Sequence, residues 1–276
     1  MTAVLGIDAA WTSTEPSGVA AVERHGVNWR LVRVAASYQA FLSKDPLKSA
    51  RHRGSTPDPH ALLSKTAELT ATPVSVVAID MPLSNDPITG RRVSDNAISS
   101  LYGSRHAGTH TPSQSRPGKL SDQLTLGFGR AGYPLLTSGA SFPALIEVYP
   151  HPALIELAKA ERRFPYKHAK SRKYWPEDSL IDRRAKLLSV WTDIVSLLDH
   201  RIEGVAFALP LPDPSSRGYE LKAFEDCLGR HMCSGGYRYS LWRRDICHLG
   251  ALRCNIVAPV KPDSHVRESH IFGKRP

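Results

Sequence analysis

Two short phrases of this chain rhyme: VLGID ends at Asp8 and VVAID ends at Asp80. Each is an unbroken apolar run that stops on a carboxylate. A run without alternation suits a strand buried on both faces, as in parallel strands covered by helices. A third run, ALIEVY over residues 144–149, has the same character and carries Glu147. Segments 17–23 and 29–36 flank His25-Gly26 and read as antiparallel partners of the first run. Helical spacing marks 61–70, 153–163 behind Pro152, the strongly amphipathic 183–200, and 219–228. The expected class is α/β. Three antiparallel N-terminal strands are followed by parallel strands in a mixed sheet, with helices on both faces. Segment 84–142 is rich in Ser, Gly, Pro and Arg and too long for a simple connection. It is expected to be a functional insertion or lid. No repeat of solenoid period is visible.

A chain of 276 residues with 41% apolar content can bury one sizeable core, with or without insertions. No run approaches the roughly 18 apolar residues of a membrane span, so no membrane partner is expected. MTAVLGIDAAW has no basic segment ahead of an apolar stretch, so no secretory signal is read and a cytoplasmic location is expected. Cys227, Cys233, Cys247 and Cys254 contain no CxxC pair, which fits a reducing compartment better than a disulfide framework. The net charge of +10 is uneven. Residues 229–276 hold nine Lys/Arg against three Asp/Glu, and so carry more than half of it. A basic balance favours polyanionic partners, but this excess says little about the folded body.

Strand-terminal carboxylates have two readings. Each can cap a following turn. Alternatively, Asp8 and Asp80 lie side by side at the C-terminal edge of a parallel pair, where open α/β sheets bind ligands. Two bare carboxylates a few Å apart repel, and a hard divalent cation removes the conflict. Mg²⁺ or Mn²⁺ held there would suit phosphodiester chemistry. In the insertion, Arg91, Arg92 and Arg105 are candidates for phosphate oxygens, with Asp95 orienting one of them. The same residues also suit a solvated helix face. His110 and Thr111 read as loop residues first. His151, just past Glu147, suits a proton shuttle or a phosphate contact, or a helix cap. Segment 159–176 interleaves Lys/Arg, among them Arg172 and Lys173, with Phe164, Tyr166, Tyr174 and Trp175. Backbone neutralisation plus base stacking needs that mixture, and a solvated loop with inward aromatics produces it too.

These residues sit in stretches that resemble a bacterial and archaeal family described as a predicted nuclease of RNase H fold (domain of unknown function 429). The matching stretches are GIDAAWTSTEPSGVA at 6–20, VVAIDMPL at 76–83, GRRVSDNAISSLYGSRHAGTHTP at 90–112, IEVYPHPALIEL at 146–157, FPYKHAKSRKYWP at 164–176 and KAFEDCL at 222–228. The resemblance covers most of 1–228 as one RNase H-like domain. It implies a metal site of Asp8, Asp80 and Asp226 with Glu147 assisting, and a nuclease activity inferred from fold alone. The expected function is Mg²⁺- or Mn²⁺-dependent hydrolysis of nucleic acid. A non-catalytic nucleic-acid-binding protein on the same scaffold is the alternative. A phosphotransferase is a weaker one, since neither GxGxxG nor GxxxxGK[ST] occurs. No nucleophile elbow is present. Cys233, Cys247, His248 and Cys254 match no usual zinc spacing.

After Leu228 the resemblance stops. Back-translated with permitted codons and read one base out of phase, the stretch from Gly229 encodes Asp-Ala-Ile-Cys-Val-Ala-Val-Gly, and further on Ala-Ile-Trp-Val-Pro. That is the ending the family leads one to expect. The reading is a frame shift at Leu228/Gly229, which replaces an aspartate three residues after Asp226 and leaves 229–276 as an aberrant basic tail, expected to be disordered. Activity is then expected to be impaired.

Overall fold

The computed structural model describes residues 2–44, 52–222, 224–226 and 228. The expectations for the tail, its frame shift and its cysteines therefore lie outside the described residues. Among the described residues the sheet has six strands. β1 (Thr2–Asp8), β2 (Gly18–His25) and β3 (Asn28–Ala35) form the antiparallel meander. β4 (Val74–Ile79) pairs parallel with β1, and β5 (Ala144–Glu147) parallel with β4. A two-residue strand, β6 (Ile202–Glu203), lies parallel to β3, so the order is β5-β4-β1-β2-β3-β6. The α/β class and the mixed sheet follow the expected pattern, with β6 as an unforeseen edge. Two residues are too few to carry a periodic signal.

Helices cover both faces, as the unbroken apolar runs require. On one face, Val4, Val76, Ala78 and Val148 pack with Leu187, Trp191, Ile194 and Leu198. The last four belong to α7 (Leu180–Asp199). Leu154 of α5 (Pro150–Ala158) and the helical residues Leu221, Phe224 and Leu228 join the same core. On the other face, Leu5, Ile7, Val77, Ile79 and Leu145 meet Phe41 of α1 (Tyr38–Leu42) and Leu62 of α2 (Pro59–Thr70). Leu124 and Phe128 of α4 (Lys119–Arg130) complete that layer.

Local chemistry sets the helix ends. Asp58 and Ser179 cap α2 and α7 through their side chains, so both helices begin earlier than the apolar spacing predicts. α5 starts at Pro150 and ends with Lys159 in the left-handed conformation, φ 52°. Residues 160–163, expected as helix, therefore leave it. Segment 84–142, expected as an insertion or lid, is partly helical. It contains α3 (Val93–Tyr102) and α4, and α4 is part of the core. A helix face was one reading of the stretch around Arg92 and Asp95 that α3 occupies, whereas α4 was not read. Two short helices, α6 (Ser171–Tyr174) and α8 (Val205–Ala208), precede the last helical residues described, 218–222, 224–226 and 228.

Candidate active site at the carboxyl edge of the sheet

The register carries β1 and β4 out of the sheet in step. Ile7 pairs with Ile79, and the Asp80 amide donates to the Ile7 carbonyl at 2.9 Å. Side chains alternate along a strand. Val4 and Val76 lie on the α7 face and Ile7 and Ile79 on the other, so Asp8 and Asp80 project toward the α7 face. Both line one cleft of about 540 Å³. Around the two carboxylates stand four permanent cations, Arg116, Arg163, Lys167 and Lys170, with His110 and His151. The cleft walls thus carry more positive than negative charge.

Glu147 takes the other face. It pairs with Ile79, one residue out of step with Asp80, and it is buried. Val148 holds the position beside Asp80 and packs into the α7 core. The Glu147 carboxylate receives Arg92 in fork geometry, at 2.8 and 2.9 Å, and the Leu83 amide at 2.9 Å. Arg92 also bonds both oxygens of Asp95, each at 3.0 Å, and the Leu83 carbonyl at 2.9 Å. All five guanidinium protons are engaged, so Arg92 has no donor left for a phosphate. Burial works against the charge of Arg92, and its bonds to Glu147 and Asp95 more than reverse that, raising its pKa. Arg92, Asp95 and Glu147, expected as site residues, form a buried tie between the 84–142 segment and the sheet.

Arg105 also serves as a tie. It bonds Glu156 at 2.6 Å and the carbonyls of Ala160 and Glu161 at 2.7 and 3.1 Å. Its own carbonyl receives the Arg163 amide at 2.9 Å. It thereby fixes the turn that carries Arg163 into the cleft. Tyr166 is buried in the α7 core, and its carbonyl accepts from Trp191 Nε1 at 2.8 Å. The cationic stretch 163–170 is therefore held by bonds to distant residues, without regular secondary structure up to residue 167.

The fourth expected acid, Asp226, does not line the cleft. It pairs with Lys222 one turn back on an exposed helix face. Its neighbour Glu225 is the inward acid. It is buried, accepts the His168 amide at 2.6 Å and lies 3.5 Å from Lys167. Among the described residues, no group of three or more His, Cys, Asp or Glu side chains is arranged to hold a metal ion. Of the three expected ligands, Asp8 and Asp80 line one cleft, and Asp226 pairs with Lys222.

His151 sits in the first turn of α5, edge-on to Tyr149 with ring centroids 5.2 Å apart. Its Nδ1 is buried and makes no hydrogen bond. Burial, then the charges of Arg163 and Lys167, hold its pKa well below 6.5 and keep it neutral at pH 7. Burial likewise pushes Tyr166 well above its ordinary value. Of the other candidates, His110 and Thr111 do line the acidic cleft. Lys173 lines a neighbouring cleft, and Arg172 lines neither. Arg163, Lys167, Lys170, Arg116 and Trp11 are cleft residues that the sequence did not single out. The mixture in 159–176 was the available signal for the first three. Trp11 lies under Arg116 at 5.9 Å in a loop pressed against Gly54, where a Cβ would meet the Ser13 carbonyl at 2.3 Å.

Comparison with models of known protein families, with curated proteins and with solved structures gives no match for this chain. No helix among the described residues is long and apolar enough to cross a membrane.

Proposed function

We propose that this protein is an RNase H-like, divalent-metal-dependent nuclease that hydrolyses phosphodiester bonds at the Asp8–Asp80 cleft. The observation that carries the reading is the in-step exit of two aspartates from adjacent parallel strands into one cleft with a cationic wall. The meander β1–β3 followed by parallel β4 and β5 supports the RNase H-like scaffold. The donor set fits Mg²⁺ or Mn²⁺, which take one or two protein carboxylates and complete their shell with water and substrate oxygens. Asp8 and Asp80 would hold the ion. When bound, it supplies Lewis-acid polarisation of the phosphoryl oxygen and a lowered pKa for water.

The chain's own groups do the rest. Arg163, Lys167 and Lys170 neutralise the phosphates flanking the scissile bond, and Glu225 positions Lys167. In hydrolysis, water oxygen bonds to phosphorus, the bond to one sugar oxygen breaks, and that oxygen leaves with a proton. The proton that water releases passes to solvent, because burial and the neighbouring Arg163 and Lys167 disfavour the protonated form of His151 at the wall of the cleft.

The test pairs binding with cleavage. Isothermal titration of the full chain should detect Mg²⁺ or Mn²⁺, and Asp80→Asn should abolish the heat. Metal-dependent cleavage of a mixed DNA and RNA substrate set should fall on the order of 10²–10³-fold in Asp80→Asn, as when one group stabilising transition-state charge is removed. Wild-type protein that gives neither heat nor cleavage overturns the proposal.

A further inference from the structure

The acidic cleft does not end at its own wall. Arg163 and Lys170 line it and also line a second cleft of about 800 Å³. That second cleft is walled by Arg162, Lys173, Phe164, Tyr174 and Trp175. Phe164 and Trp175 pack against the α7 core, which makes this wall firm. Tyr174 stands against Trp175, with ring centroids 5.7 Å apart and planes at 74°. At the junction, the Arg163 guanidinium lies 5.7 Å from the Tyr166 ring centroid, and its buried Nε makes no hydrogen bond. Buried polar groups without partners are rare in folded proteins and call for an explanation. Cations and aromatic faces in one groove are what a nucleic-acid strand with exposed bases requires. The cations track phosphates and the rings stack on bases. A duplex hides its base faces inside its own stack, so it cannot use the rings.

Resting on the nuclease reading of the acidic cleft, we propose that the two clefts form one track for single-stranded nucleic acid. Backbone phosphates follow Arg163 and Lys170 from one cleft to the other. An unstacked base next to the reacting phosphate lodges against Tyr174. The track selects strandedness, and the aromatic wall is indifferent to base identity, because every base has a π-face.

The experiment is fluorescence anisotropy of the full chain in EDTA. The probes are labelled oligothymidylate and oligouridylate of about 12 nucleotides, within the site sizes of single-strand binders, and the matching duplexes. Single strands should bind at least about tenfold more tightly than duplexes. Tyr174→Leu should weaken single-strand binding on the order of tenfold, and Tyr174→Phe should restore it. Lys170→Ala should lower the salt slope by about one. A duplex that binds as tightly as a single strand overturns the track, as does a folded Tyr174→Leu chain with wild-type affinity. If Tyr174→Leu fails to fold, strand preference and the Lys170→Ala slope decide. Because the measurement is made without metal, its failure is separate from that of the nuclease reading. Intact single-strand preference without cleavage on adding Mg²⁺ would sink only the hydrolysis.

Discussion

Two carboxylate clusters occupy the same edge of this sheet, on opposite faces. Asp8 and Asp80 enter a cleft whose walls carry an excess of cations. Glu147 enters the protein, where Arg92, Asp95 and the Leu83 backbone surround it. Asp8 and Asp80 end apolar strand runs and Glu147 lies within a third, so the three acids look alike in sequence. The difference is a single step of register. In step with Asp80 stands Val148, and in step with Ile79 stands Glu147. A strand-terminal acid is therefore a site residue or a structural tie according to parity, and the two roles have opposite chemistry. The tie needs every donor matched, whereas the cleft has charge to offer a ligand.

The largest effect is expected from breaking the tie. Arg92→Met leaves Glu147 and Asp95 buried without their cation, and losing one partner of a buried ion pair costs about 3–5 kcal/mol. The melting temperature should fall by about 2–4 °C for each kcal/mol. Mg²⁺ binding at Asp8 and Asp80 should survive wherever the variant is still folded. A stability change under about 1 kcal/mol would mean that the tie is not structural, and the comparison fails.

A smaller effect should separate the two acids of the last described helix. Glu225→Gln weakens the bond from the His168 amide and removes the ion pair with Lys167. Charged hydrogen bonds of this kind contribute about 1.5–3 kcal/mol. Asp226→Asn touches only the exposed pair with Lys222 and should change stability by less than about 0.5 kcal/mol. Urea denaturation of both variants reads the contrast. If Asp226→Asn abolishes the Mg²⁺ heat while Glu225→Gln is silent, the outward acid is the ligand and the assignment reverses.

The smallest effect is a slope. His151 is held below its ordinary pKa in the folded chain, so below about pH 6.5 the unfolded chain binds a proton that the folded chain does not. Its contribution to stability is fully present above pH 6.5 and is lost as pH falls toward the folded pKa, by at most about 1.4 kcal/mol per pH unit. Denaturation midpoints between pH 7 and pH 5 should drop less steeply in His151→Gln. Parallel curves for the two chains would place the titrating group elsewhere.

The apolar runs identified the central strands because burial on both faces leaves a local trace, an unbroken hydrophobic string. The pairing of Asp8 with Asp80 was legible for a related reason. The two phrases repeat the same pattern at the same length, and parallel neighbours in step bring equal positions together. The basic and aromatic segment 159–176 was legible as composition, although Tyr166 turned inward and Arg172 lines neither cleft. Of the helices in 84–142, α3 was legible as a helix face around Arg92 and Asp95, whereas the Gly and Ser of α4 mask its periodicity and its apolar side chains meet partners distant in the chain.

The chain's own order of residues thus determined the class of fold, the strands at its centre and the pair of aspartates at their ends. These depend on local patterning and on a repeated length. Tertiary structure alone decided that Glu147 faces Arg92, that Glu225 points inward in place of Asp226, and that Arg163 joins two clefts. Each depends on the register of a distant strand, the rotation of a helix against a core, or the anchoring of a loop by Arg105 and Trp191. Contacts far apart in sequence fix those quantities, and a shift of one residue reverses which side of the sheet or helix a charge occupies.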